Sequence, residues 1–206
     1  MPRNDWSTTK AVLATGNAGK LREMAALLAP IGFELRAQGE LGIAAAPETG
    51  VTFVENALQK ARHASRSAKL PAIADDSGLV VPALGGAPGV RSARYAGDDA
   101  TAADNNRKLI GSLAGLGDRT AWFYCALVFI EHPDDPAPLL ATGTWRGRII
   151  DQPRGEGGFG YDPHFLVPHL GRTSAELAPE EKNALSHRGQ AVAALLKQLR
   201  ERPAQP

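Results

Sequence analysis

A single cysteine, Cys125, among 206 residues leaves no internal disulfide to form, which excludes a disulfide-held secreted scaffold. It lies in the apolar run Ala121-Trp122-Phe123-Tyr124-Cys125-Ala126-Leu127-Val128-Phe129-Ile130, so it reads as a buried strand residue rather than a catalytic thiol. An excess of either charge is also missing: the formal net charge is +1, so there is no bulk field to recruit nucleic acid or an anionic membrane. A small anionic ligand would have to be held by particular cations and backbone N–H groups. No apolar stretch is long enough to cross a bilayer, and Met1-Pro2-Arg3-Asn4-Asp5-Trp6 lacks a signal-peptide core. A cytoplasmic protein with neither nucleic-acid nor membrane partners is expected. His63, His132, His164 and His169 show no metal-ligand spacing, and no Ser-His-Asp or Cys-His pattern emerges, which disfavours zinc and nucleophilic-serine chemistry.

Charged residues at 22% and hydrophobic ones at 43% are globular values, and the length is enough for one domain with a sizeable core, or two lobes around a cleft. Residues 10–15 read as a short buried strand, after which Gly16-Asn17-Ala18-Gly19 turns into a helix ending near Pro30, with Leu21, Met24, Ala25 and Leu28 on its apolar face. Gly32 marks a stop, and Phe33-Glu34-Leu35-Arg36 a second strand. Residues 39–51 form a Gly/Ala/Pro-rich loop. Thr52-Phe53-Val54-Glu55 has the form of a capping box, opening a helix with Val54, Ala57, Leu58, Ala61, Ala64 and Ala68 at helical period and Pro71 at its end. Pro71-Ala72-Ile73-Ala74 is then a strand that delivers an acidic pair at its end.

Residues 85–97 hold too much glycine for a regular element and are expected to form a long loop near the site. A helix is entered at Thr101, and 119–131 and 137–150 read as long strands joined as a hairpin. A Gly-rich loop at 153–163, a helix over about 176–185 and a last helix over about 186–200, with Val192, Leu195, Leu196 and Leu199 on one face, complete the chain. The polar head 1–9 and the Pro-containing tail 203–206 are expected to carry no function.

Four segments hold groups that could do chemistry. Ala74-Asp75-Asp76-Ser77-Gly78-Leu79 presents two carboxylates that can hold Mg²⁺ and orient or deprotonate a water, although the same residues suit a turn. Thr15-Gly16-Asn17-Ala18-Gly19-Lys20 sits where a strand becomes a helix, a place for phosphate or simply a cap, and is neither a Walker nor a dinucleotide sequence. Lys20, a cation in a first helical turn, works against the dipole and so wants a local reason. Gly158-Phe159-Gly160-Tyr161-Asp162-Pro163 puts aromatic rings and a carboxylate on closely approachable backbone where a planar ring could stack. Ser186-His187-Arg188 opens the last helix, Ser186 as an N-cap, while His187 and Arg188 fit no apolar face. Glu48 and Lys60 are, by default, solvated single charges.

Taken in order, these four segments closely resemble those of the inosine triphosphatase family, the non-canonical purine nucleoside triphosphate pyrophosphatases, over about residues 10–200. The resemblance implies an α/β fold with a long central mixed sheet and flanking helices, two lobes around an active-site cleft in a single domain spanning 1–206, and a homodimer. It implies Mg²⁺-dependent cleavage of inosine, deoxyinosine or xanthosine triphosphate between the α and β phosphates, to the monophosphate and pyrophosphate, which cleanses the nucleotide pool. Thr15, Gly16, Asn17, Ala18, Gly19 and Lys20 would cradle the triphosphate, with Lys60 a second phosphate-side cation. Asp76 would be the metal-linked general base, Asp75 beside it a second metal carboxylate, Ser77 would touch substrate, and Glu48 would supply a further metal carboxylate by analogy. Phe159 would stack on the purine within the Gly160, Tyr161 and Asp162 loop, and Asp162, Lys182, His187 and Arg188 would line the base end.

Inosine and xanthosine carry a carbonyl at purine position 6 where adenine carries an amine, so a donor such as Arg188 favours the first and leaves an unpaired clash with the second. Guanine shares the carbonyl, and its exclusion must come from the 2-position. A septum-inhibition type pyrophosphatase acting on modified pyrimidine triphosphates is the competing enzyme, opposed by Ser186-His187-Arg188 and the Phe159 loop. A nucleotide sensor is opposed by the intact acidic pair, since a pure binder gains nothing from a base beside the scissile phosphate.

Overall fold

The first long helix starts where the Thr52 cap dictates: Thr52 Oγ1 accepts from Glu55 N at 3.3 Å while Glu55 Oε2 accepts from Thr52 N at 2.9 Å. This reciprocal pair launches α2 (Phe53–Ala68). A computed structural model of the chain describes residues 10–29 and 34–202. The helix end at Pro30, the stop at Gly32, the strand start at Phe33, the head 1–9 and the tail 203–206 lie outside the described residues.

The other elements are β1 (Lys10–Leu13), α1 (Ala18–Leu28), β2 (Glu34–Ala37), β3 (Ala72–Val80), α3 (Ala102–Ser112), β4 (Thr120–Ile130), β5 (Leu139–Ile149), β6 (Phe165–Val167), β7 (Arg172–Thr173), α4 (Pro179–Leu185) and α5 (His187–Glu201). The strands form a seven-stranded sheet ordered β2-β1-β3-β4-β5-β6-β7. It is mixed: β1 pairs in parallel with β2 and β3, whereas β6 pairs antiparallel with β5 and β7. The chain passes from β1 to β2 through α1 and from β2 to β3 through α2, as crossovers between parallel strands require. The two long strands expected around residues 119–131 and 137–150 are β4 and β5, neighbours in the sheet.

The chain divides into two compact units, one made of residues 1–76, 125–143 and 188–206, the other of 77–124 and 144–187. The first has a core of Leu13, Ile73, Cys125, Leu127 and Phe129 from its strands with Met24, Leu28, Val192, Leu195 and Leu199 from α1 and α5. On α1, Ala25 is exposed and Leu27 packs partly instead. The two residues flank the Met24 and Leu28 stripe about equally, and the longer side chain reaches the core. The second unit packs Phe123, Trp145 and Phe165 against Leu79, Leu109 and Tyr161, with the Phe123 and Phe165 rings 4.6 Å apart.

Three expectations are corrected. The acidic pair does not close a strand: β3 runs on through Asp75 and Asp76 to Val80, because Leu79 and Val81 continue the buried apolar pattern beyond Gly78. Segment 85–97 is no open loop: Gly89–Arg94 forms a 3-10 helix whose buried Ser92 accepts from Leu79 N at 2.8 Å and receives the Tyr161 hydroxyl on its carbonyl at 2.8 Å. The helix expected from about residue 176 begins at Pro179, after a separate 3-10 turn Ser174–Glu176, because proline lacks the N–H of a helix interior and suits the first helical position.

Candidate functional site

Successive residues of a strand point to opposite faces, so a carboxylate pair inside β3 is divided. The partners follow that rule. Asp75 Oδ2 lies 3.0 Å from Lys20 Nζ on α1 and 3.8 Å from Arg188 Nε on α5. Asp76 meets α2 instead, with Oδ1 accepting from Lys60 Nζ at 2.8 Å and Oδ2 from Asn56 Nδ2 at 3.3 Å. Both carboxylates are buried.

Lys60 Nζ also donates to Glu48 Oε1 at 3.0 Å, so one ammonium joins Glu48 and Asp76. Burial works against the charged form of Lys60, but Asp75, Asp76 and Glu48 together outweigh it and hold its pKa above the usual lysine value. For Asp76, burial is the largest influence and pushes the carboxyl above the usual carboxylate range, against the lowering by Lys60 and Lys20. Among the described residues no group of three or more His, Cys, Asp or Glu side chains stands ready to hold a metal. The Glu48 and Asp76 oxygens do converge on one cation, and hard carboxylate oxygens are the donors that a hard divalent ion prefers.

The turn from β1 into α1 closes on itself. Asn17 Oδ1 accepts from Gly19 N at 2.9 Å and Lys20 N at 3.1 Å, and Thr15 Oγ1 accepts from Asn17 N at 3.2 Å. Asn17 is therefore an N-cap on the first helical N–H groups, with Gly16 before it and Ala18 and Gly19 opening the helix. Arg188 Nη1 donates to Glu23 Oε2 at 2.6 Å, which joins α5 to α1. Burial works against the Arg188 charge, and Asp75 and Glu23 more than restore it.

In the second unit Asp162 organises the Gly-rich loop. Its Oδ2 accepts from Phe159 N at 2.8 Å and from Lys182 Nζ at 2.8 Å, and its Oδ1 from Ser174 Oγ at 2.8 Å. Lys182 Nζ stands 5.2 Å from the Phe159 ring centroid, within cation–π range. Gly158 has φ +73°, and a Cβ there would lie 2.1 Å from Asp162 Oδ2, so only glycine permits this closure. Gly160 O accepts from Asn106 Nδ2 on α3 at 2.9 Å. Tyr161 is a core ring rather than a second open one, and burial pushes its phenol well up. His187 stacks on Phe123, ring centroids 4.9 Å apart and planes 13° apart. Ser186, also buried, separates α4 from α5, and Ser77 follows Asp76 in β3.

The first unit thus gathers Lys20, Asp75 and Arg188 in one cluster and Glu48, Lys60 and Asp76 in another, and the second gathers Phe159, Asp162 and Lys182. Asn56, Glu23, Ser174 and Asn106 escaped the sequence reading. Only Asn56 left a signal, as an amide on the otherwise alanine-rich inner face of α2.

The Ham1 family profile matches residues 11–198. A dITP/XTP pyrophosphatase of Ralstonia nicotianae is 60% identical over 194 residues, covering 93% of this chain and 96% of that protein. A dITP/XTP pyrophosphatase of Nitrosomonas europaea is 55% identical over 197 residues, covering 96% of this chain and 97% of that protein. Among solved structures, a HAM1 protein from Coxiella burnetii superposes with a TM-score of 0.88 at 50% identity, covering 95% of this chain and 100% of that one. A nucleoside-triphosphatase / dITP/XTP pyrophosphatase from Mycobacterium abscessus gives 0.71 at 41% identity, covering 93% of this chain and 100% of that one.

Proposed function

We propose that this chain, which belongs to the Ham1 family, hydrolyses non-canonical purine nucleoside triphosphates, those of inosine, deoxyinosine and xanthosine, to the monophosphate and pyrophosphate. The observation that carries the chemistry is the Asp76 carboxylate, buried and held at 2.8 Å by Lys60, with burial raising its pKa. A base whose pKa is raised takes a proton from water more readily than an ordinary carboxylate.

Asp76 accepts the proton of a water whose oxygen bonds to the α-phosphorus as the bridge to the β-phosphate breaks, and pyrophosphate departs. Asn56 holds the carboxylate in one orientation for that transfer, and Lys60 does so in the metal-free protein. Lys20 and the positive end of the α1 dipole, with Thr15 and Asn17, hold the phosphates, since a helix N-terminus favours anions even where Asn17 already accepts from Gly19 N and Lys20 N. Glu48 and Asp76 would hold Mg²⁺, which at such a site keeps several waters and needs only one or two carboxylates. Bound there, Mg²⁺ supplies positive charge against the phosphate oxygens. Asp75 keeps Lys20 and Arg188 in place.

At the base end, the Phe159 ring stacks on the purine, fixed through its backbone by Asp162. On the family resemblance, Lys182, His187 and Arg188 would favour a carbonyl at position 6 over an amine. The family match runs across both units, which supports one domain spanning 1–206. Among the described residues no helix is long and apolar enough to cross a membrane. A homodimer and a cytoplasmic location, where free nucleoside triphosphates occur, complete the proposal on the family resemblance.

The test is product analysis with Mg²⁺ and inosine, xanthosine, adenosine and guanosine triphosphates in parallel. Pyrophosphate and monophosphate from the first two alone are expected. Orthophosphate and diphosphate would move cleavage to the terminal bond, and binding without product would make the chain a sensor.

A further inference from the structure

Five residues on one face of α2 hold the loop that carries Glu48. Glu55 Oε2 accepts from Val51 N at 3.0 Å, Asn56 Oδ1 from Gly50 N at 2.8 Å, and Gln59 Oε1 from Thr49 Oγ1 at 3.3 Å. Lys60 Nζ donates to Glu48 Oε1 at 3.0 Å, and His63 Nε2 lies 2.9 Å from Ala44 O. The spacing is that of a helix face, with each turn of α2 taking the next stretch of loop. Of these five, Asn56 and Lys60 also reach Asp76, at 3.3 and 2.8 Å.

Those two links differ in kind. Lys60 holds Glu48 and Asp76 together by charge, and a divalent cation at the same oxygens would repel the ammonium. Asn56 is neutral, fully buried, and uses both ends of one amide, Nδ2 toward Asp76 and Oδ1 toward Gly50. Its hold on both sides is unaffected by the charge that arrives between them. Gly50 sits so close that a Cβ there would lie 2.6 Å from Glu55 Cβ and 2.8 Å from Asn56 Oδ1, so only glycine lets the loop dock on the amide.

We propose that Asn56 is a positioning residue for the cation site: one buried amide ties Asp76 to the Glu48 loop through Gly50 and sets the separation of the two carboxylates. This rests on the proposed use of Glu48 and Asp76 toward Mg²⁺. Groups that orient metal-binding side chains from behind are worth about 10- to 100-fold in metal affinity or activity.

The experiment is a Mn²⁺ titration of the full chain, followed by the electron paramagnetic resonance of free Mn²⁺, alongside inosine triphosphate kinetics and thermal melts. Wild type is compared with Asn56→Ala, Asn56→Leu and Gly50→Ala. Asn56→Leu loses both ends of the amide at nearly the same size and adds no cation ligand, while Gly50→Ala displaces the loop and keeps the donor to Asp76. The Mn²⁺ Kd is expected to rise about 10- to 100-fold in Asn56→Ala, with kcat falling further than KM rises. Gly50→Ala is expected to lower the melting midpoint, since its Cβ forces the loop off the amide, and also to raise the Kd of the folded protein; a merely structural role would lower the midpoint and leave that Kd unmoved. If Asn56→Ala fails to fold, the other two variants decide. A Kd within about twofold of wild type in every folded variant would overturn the proposal. Wild type that binds Mn²⁺ but releases no pyrophosphate overturns the proposed activity instead, and the titration still decides the role of Asn56.

Discussion

Lys20 and Asp75 form an ion pair with Nζ 3.0 Å from Oδ2, the carboxylate side chain wholly buried. A cation in the first turn of α1 opposes the helix dipole. The Asp75 charge delivered from β3 reverses that local balance, and it does the same for Arg188 from α5. One buried carboxylate thus reconciles two cations that the local sequence alone would leave unfavourable.

Asp75→Ala should therefore destabilise the protein by about 3 kcal/mol or more, because removing one partner of a buried pair leaves the others uncompensated. Urea unfolding at neutral pH reads this directly. An unchanged midpoint would mean that solvent replaces the carboxylate.

Asp76→Asn is expected to lose turnover by about 100-fold or more while keeping its circular dichroism. Near-normal pyrophosphate release would remove Asp76 as the base. A pH dependence accompanies it in metal-free protein. With its folded pKa raised by burial, Asp76 keeps a proton in the folded state that the unfolded chain has released. Its contribution to stability is full below the ordinary carboxylate range, and declines as pH rises through the raised value. The difference in unfolding free energy between wild type and the Asn variant, measured from about pH 4 upward, should show this decline, since the lowered carboxyls of Glu55, Asp104 and Glu176 contribute alike to both proteins.

Gly158→Ala should raise the KM for inosine triphosphate by roughly tenfold, with a smaller change in kcat. The new Cβ meets Asp162 Oδ2 at 2.1 Å and Lys182 Nζ at 3.1 Å in a backbone conformation that alanine resists, a strain of about 1–3 kcal/mol. Relief would break the Phe159 N to Asp162 bond that sets the ring. Phe159→Ala should raise KM to a similar extent by removing the stacking surface, worth about 1–3 kcal/mol per base. A KM unmoved in both variants would place the purine elsewhere.

Arg188→Ala is expected to lower stability, since Glu23 and Asp75 lose a buried guanidinium, and to weaken discrimination against adenosine triphosphate. The two readouts separate the roles. A lowered melting point with an unchanged ratio of specificity constants would leave Arg188 as a support for Asp75 alone.

Much of this was legible in the sequence because it is local. Thr52 caps the helix that its spacing to Glu55 announces, Thr101 caps the helix entered there, and of the expected α5 stripe Val192, Leu195 and Leu199 are buried with Leu196 packing partly beside them. The glycines and Asp162 around Phe159 flagged a close-approach loop. Asn56, Glu23 and Ser174 were not legible, because their partners lie 20, 165 and 12 residues away and no local period encodes them. The strand end placed before Asp75 failed for a related reason. Two adjacent carboxylates read as a turn until cations from α1, α2 and α5 make it possible to bury them mid-strand.

The order of four short motifs was enough by itself to determine the family and, through turn and cap chemistry, the start of each long helix. Tertiary structure alone decided how the acidic pair is used. Strand alternation turns Asp75 toward Lys20 and Arg188 and Asp76 toward Lys60 and Asn56, so neighbours in sequence bond different side chains, even though the charge of Asp75 still reaches Lys60 and that of Lys20 still reaches Asp76. A carboxylate's chemistry is set by the charges and donors within a few ångströms of it, and those come from wherever the chain returns.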